Sequence, residues 1–134
     1  MAAAAYRSGE KLTNEWDGIT HDYTKKRGVV YSEILLPANA PSSFSDRSTL
    51  WNSVEKIEKN RDAQLAREIE IALPNEIDRQ SQIRLVRKYV QDIFVSAGMC
   101  ADYSIHDKGD GNPHAHIMLT LRPLNIDSER RKVC

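Results

Sequence analysis

A chain of 134 residues, 40% of them hydrophobic, is long enough to bury one core and too short for several, so a single small domain is expected. With 19 basic and 19 acidic residues the formal charge is +0, which excludes a global positive field as the means of holding nucleic acid or a membrane surface and leaves that work to local patches. No apolar run approaches the ~18 residues that cross a bilayer, Met1 to Ala5 is too short and too poor in charge for a secretory leader, and Cys100 and Cys134 have no ligand or redox spacing, so a cytoplasmic chain without membrane insertion is expected.

Met1 to about Leu12 reads as a helix, because alanine is the best helix former. Thr13 to Gly28 is polar and turn-rich and carries Trp16, His21, Tyr23 and the basic cluster Lys25-Lys26-Arg27. Val29 to Leu36 has the β-branched, aromatic and leucine content of a strand, stopped by Pro37. After a loop with two prolines, Asp46 can cap a helix that places Leu50, Val54 and Ile57 on one face with Trp51 alongside. Arg67 to Leu73 alternates as a strand ended by Pro74. Asp78 is placed to cap a long helix turning Ile83, Val86, Val90, Ile93 and Phe94 inward, with Gly98 as its stop. The chain carries no repeat or low-complexity tract, and this order predicts an α+β domain: a mainly antiparallel sheet with helices packed on one face and a polar, exposed face opposite.

The last two strands carry the chemistry. Ala101 to His106 alternates with Asp102, Ser104 and His106 on one side, and His114 to Leu121 alternates with His114, His116 and Thr120 on one side and Ala115, Ile117, Leu119 and Leu121 on the other, Met118 being the apolar exception. The Gly109-Asp110-Gly111 centre between them reads as a hairpin turn. Pairing as a hairpin sets His106 beside His114 and His116, and three imidazoles on one sheet face have the geometry of a metal site, although histidines on a strand also serve as ordinary hydrogen-bonded residues. Glu68 and Glu70 share a side of their strand and can support such a site, while polar alternation on an exposed strand explains them equally well.

Several separated segments occur in the order of one known family: Ala2 to Leu12 (AAAAYRSGEKL), Tyr31 to Pro37 (YSEILLP), Gln64 to Pro74 (QLAREIEIALP) and Asn112 to Arg122 (NPHAHIMLTLR). They closely resemble the MobA/MobL family of plasmid conjugative relaxases, whose members are HUH endonucleases with a hydrophobic residue between two histidines, a place Ala115 fills here. The resemblance implies that His114 and His116 are the metal-binding pair, that His106 is the third metal ligand, and that Tyr6 is the nucleophile. It implies a divalent cation, Mn²⁺ or Mg²⁺, although three nitrogens alone suit Zn²⁺ or Ni²⁺ better. The implied reaction is nicking and rejoining of single-stranded DNA at an origin of transfer through a 5′-phosphotyrosyl intermediate, with relaxosome accessory proteins and a type IV coupling protein as possible partners. Tyr23 is the second candidate nucleophile, whereas Tyr31, Tyr89 and Tyr103 fall on packing positions. Arg7, Lys11 and Lys25-Lys26-Arg27 stand near enough to contact phosphate, or form a solvated face.

Members of the family begin with a strand before the alanine-rich helix and continue past the Leu-Arg segment, so the resemblance implies a relaxase domain over residues 1–124 that lacks its first strand, followed by a charged tail over 125–134. A missing strand exposes a sheet edge, and weak nicking at best is expected. Two alternatives stay open: a remnant that keeps the fold with metal or DNA binding but little catalysis, and a rolling-circle replication initiator. The initiator's tyrosine usually follows the histidine motif, and no tyrosine follows His116 here.

Overall fold

The computed structural model describes residues 1–15, 17–38, 40–58 and 66–120, so Leu121 and the segment 121–134 lie outside the described residues. In chain order its elements are α1 (Ala2–Ser8), β1 (Lys11–Thr13), β2 (Thr20–Asp22), β3 (Val29–Leu35), a 3₁₀ turn Ser42–Ser45, α2 (Arg47–Glu58), β4 (Arg67–Ala72), α3 (Arg79–Val90) continued by a π turn Gln91–Val95, β5 (Ala101–His106) and β6 (His114–Leu119). The four longer strands form one sheet in the order β3-β5-β6-β4, every neighbour antiparallel. β1 and β2 make a separate antiparallel hairpin, β1 in the end of the stretch expected as helix and β2 in the polar, turn-rich stretch that follows.

The alanine run does form a helix, but it ends at Ser8 rather than near Leu12. Gly9 takes φ 72°, ψ 30° and donates its backbone N–H to the Ala5 carbonyl at 2.9 Å, a left-handed stop that glycine adopts without a Cβ penalty. Leu12 is then free to pair in β1 and is buried from there. α2 and α3 start where the sequence placed them: Asp46 accepts from the Thr49 backbone N–H at 3.0 Å and Asp78 from the Ser81 N–H at 2.7 Å. Ile83, Val86 and Val90 are buried as expected, whereas Ile93 is half exposed and Val95 is buried in its place. The π turn holds one residue more per turn than an α-helix, which rotates the apolar stripe past Ile93.

The α+β class and the antiparallel sheet hold, but the helices lie on both faces of the sheet. α3 covers the face formed by Ala101, Tyr103, Ile105, Ala115, Ile117 and Leu119. On the opposite face, Met118 and Cys100 pack with Ala4 and Ala5 of α1 and Leu50, Trp51 and Val54 of α2. Asp102, Ser104 and His106, expected on a solvated surface, are therefore buried at 4%, 1% and 6% exposure. A buried carboxylate requires a compensating partner, and α2 brings it: Arg47 donates to both Asp102 oxygens at 2.8 Å and the Trp51 indole N–H donates to Asp102 Oδ2 at 2.8 Å. Arg47 also reaches Glu10, just beyond α1, at 2.6 Å, so one guanidinium joins α1, α2 and the sheet. Each aliphatic side chain sunk into either layer adds about 1.5–3 kcal/mol of transfer free energy.

Candidate metal and tyrosine centre

β5 and β6 pair with His106 opposite His114 and Ser104 opposite His116, which sets all the histidines of the run on the sheet face under α1. Asp107 Oδ1 and Asp110 Oδ1 shape the connection by accepting the backbone N–H of Gly109 and Asn112. The ring centroids of His106 lie 5.6 Å from His114 and 4.4 Å from His116, and those of His114 and His116 are 4.8 Å apart. One nitrogen from each ring falls within 4.8 Å of the others, and among the described residues this is the one cluster arranged to hold a metal ion.

The protonation of two of these rings suits ligation. His116 is held neutral to about pH 3, first by burial and then by His106, Arg7, His114 and Lys26, and burial likewise pulls His106 below its ordinary value. Neutral imidazoles keep the lone pairs that coordination needs. The hydrogen bonds orient two of them: a ring N–H facing a carbonyl can only donate, so His114 Nδ1 donates to Asn112 O at 3.1 Å and His106 Nε2 donates to Arg7 O at 2.8 Å. Nε2 of His114 and Nδ1 of His106 then carry the lone pairs. Glu70 pairs with His116 across the strands, and its carboxylate stands 3.8 Å from His114 Nε2 and 3.9 Å from His116 Nδ1. Glu68 turns to Arg7 instead, at 3.1 Å. The donor set fits a divalent cation.

α1 delivers Tyr6 to the same place. A cleft of about 160 Å³ is lined by Tyr6, by His106, His114 and His116, and by the cations Arg7, Lys26, Arg27 and Lys108. Tyr6 is 42% exposed, in contrast to the buried Tyr103. Tyr23, the second candidate, does not line the cleft but meets the Tyr6 ring edge-on at 5.2 Å. Tyr31 packs beside Tyr103 and Tyr89 beside Phe94, as their positions implied. The fold thus gathers Tyr6 and the histidines from opposite ends of the chain. Arg27 leads into Gly28 at φ 92°, where an added Cβ would come within 3.2 Å of the Lys108 side chain, so this glycine lets the two basic loops close on the cleft.

Sequence alone does not separate Lys25, Lys26 and Arg27. Lys26 is the one drawn into contact with Tyr6, its Nζ 3.5 Å from the ring centroid, while Lys25 points to solvent. The Arg47–Asp102 pair beneath the face was not anticipated, and nothing local in the sequence announces it.

The antiparallel α+β sheet carries a histidine-lined, cation-rimmed cleft, and comparison with known proteins gives this domain a family. The model of the MobA/MobL family matches residues 1–133, and the chain belongs to that family. It is 45% identical over 138 residues to the "Conjugal transfer protein TraA" of Rhizobium radiobacter, covering 96% of this chain and 12% of that protein. It is 36% identical to the "Mobilization protein MobL" of Acidithiobacillus ferridurans, covering 93% of this chain and 39% of that one. A solved structure titled "Molecular Basis of Vancomycin Resistance Transfer in Staphylococcus aureus" superposes with a TM-score of 0.88 at 40% identity, over 94% of this chain and 64% of its own. The chain thus spans a small fraction of these curated relatives.

Proposed function

We propose that this chain carries the DNA-nicking site of a plasmid mobilisation relaxase, acting on single-stranded DNA at an origin of transfer. The observation that carries the reading is the convergence of an exposed tyrosine and three clustered imidazoles in one cation-rimmed cleft. Family membership and relatives named as conjugal transfer and mobilisation proteins support it. No helix among the described residues is long and apolar enough to cross a membrane.

In this reading His106, His114 and His116 hold a divalent cation, Mn²⁺ or Mg²⁺ by family resemblance. When bound there, such an ion supplies Lewis-acid polarisation of the phosphate. The chain's own residues supply the rest. Arg7, Arg27 and Lys108 receive the DNA backbone, whose charge they complement. The Tyr6 phenol oxygen attacks the phosphorus, a P–O bond to Tyr6 forms, and the P–O3′ bond breaks. The phenol proton is given up and the departing 3′ oxygen takes one, leaving a free 3′-hydroxyl and a 5′-phosphotyrosyl ester. One phosphodiester replaces another, so the step runs close to thermoneutral and can be reversed to rejoin the ends.

The test uses the purified chain, Mn²⁺ and a labelled single-stranded oligonucleotide carrying the cognate origin. A denaturation-resistant protein–DNA adduct is expected from the wild type and none from Tyr6→Phe. An adduct that survives the substitution removes Tyr6 from the role, and failure of the wild type favours a non-catalytic, binding-only chain.

A further inference from the structure

Tyr6 lies in the last turn of α1, where a helix leaves its carbonyls without intrahelical partners. Its own carbonyl accepts from Lys26 Nζ at 3.1 Å, and the same ammonium sits 3.5 Å from the centroid of its ring. One cation therefore answers both the unpaired helix end and the electron-rich ring face. Neither contact engages the phenol hydroxyl. Lys26 comes from the segment between β2 and β3, so it ties Tyr6 to a part of the fold outside α1. Lys25 and Arg27 on either side are exposed, whereas Lys26 is half-buried. Burial, with Arg7 and Lys108 adding to it, pulls its pKa down, so the position is held against an electrostatic cost.

We infer that Lys26 is a positioning residue for Tyr6: its ammonium clamps the ring and the end of α1 so that an otherwise exposed side chain presents its hydroxyl to the histidine face. The inference rests on the reading of Tyr6 as the nucleophile. It differs from a simple phosphate-binding role, because a clamp sets the rate once DNA is bound, whereas a phosphate contact sets how much DNA is needed. An exposed tyrosine free to sample its rotamers would spend little time in attacking geometry.

Single-turnover adduct formation is measured against DNA concentration, with Mn²⁺ and the origin oligonucleotide, for the wild type, Lys26→Met and Lys26→Arg. Lys26→Met is expected to slow the reaction at saturating DNA by about tenfold, with the half-saturating concentration little changed. Lys26→Arg is expected to recover most of the rate, since a guanidinium can also cap the carbonyl and stack on the ring. A second measurement needs no activity: in NMR spectra of the wild type the Lys26 ε-methylene protons are expected upfield of the other lysines, and in Tyr6→Leu they return to the ordinary position. A Lys26→Met variant that raises only the half-saturating concentration overturns the proposal, as does an ordinary ε-methylene shift in the wild type. If the wild type forms no adduct, the nucleophile reading falls, and the NMR comparison alone decides whether the clamp exists.

Discussion

Removing the Arg47 side chain tests the placement of α2 on the histidine face. In Arg47→Met the Asp102 carboxylate, 4% exposed, loses both guanidinium bonds and keeps only the Trp51 indole. Breaking a buried pair from one side costs about 3–5 kcal/mol, because the remaining charge has no water to return to. A domain of this size has about 5–15 kcal/mol in all, so the variant should lose a large share of its stability and unfold at distinctly lower urea. Asp102→Asn should cost less, since Arg47 retains Glu10 at 2.6 Å and the amide oxygen can still accept from Trp51. Urea unfolding followed by circular dichroism and tryptophan fluorescence gives the three free energies needed for a double-mutant cycle. The expected coupling between positions 47 and 102 is about 2 kcal/mol or more, with the double variant more stable than the sum of the single losses implies. A loss below about 1 kcal/mol for Arg47→Met, the value typical of an exposed pair, would refute the placement of α2 and the enclosure of this face.

The remaining predictions concern the histidines. With chelator present, unfolded His116 takes up its proton near 6.5 and the folded ring not until about 3, so the unfolded state binds more protons across that window and stability falls as pH drops, by up to about 1.4 kcal/mol per pH unit. Urea midpoints should therefore decline from pH 7 to pH 5, above the range where carboxylates titrate, and a flat profile would contradict the burial of the ring. Titration calorimetry with Mn²⁺ should give binding to the wild type and none to the double variant His114→Ala, His116→Ala; binding that persists sinks the metal assignment. Saturation with the ion to a hundred times its dissociation constant should raise stability by about 2.7 kcal/mol.

The hairpin was the most legible part of the chain because period-two alternation and a glycine turn both act locally. The strand pairing His106 with His114 follows from those two features alone. Asp102 was misplaced for an instructive reason: on an alternating strand a carboxylate reads as solvent-facing, and only Arg47, far earlier in the chain, makes its burial affordable. Long-range ion pairs leave no periodic trace. The early stop of α1 turned on one residue, Gly9, whose left-handed backbone overrode the helical tendency of its neighbours, and Ile93 turned outward because a π turn breaks the periodicity on which its assignment depended. Tyr6 became a candidate through the family-like segment around it, since an exposed tyrosine on a short helix has no pattern of its own. Nor does composition distinguish Lys26 from Lys25 or Arg27, because their difference is one of burial.

The most direct measurement is tandem mass spectrometry of the protein–DNA adduct after exhaustive nuclease and protease digestion. The account expects the peptide containing Tyr6 to carry a nucleotide joined through its 5′-phosphate, with the released DNA ending in a 3′-hydroxyl. A nucleotide found on Tyr23, or one joined through a 3′-phosphate, would contradict it.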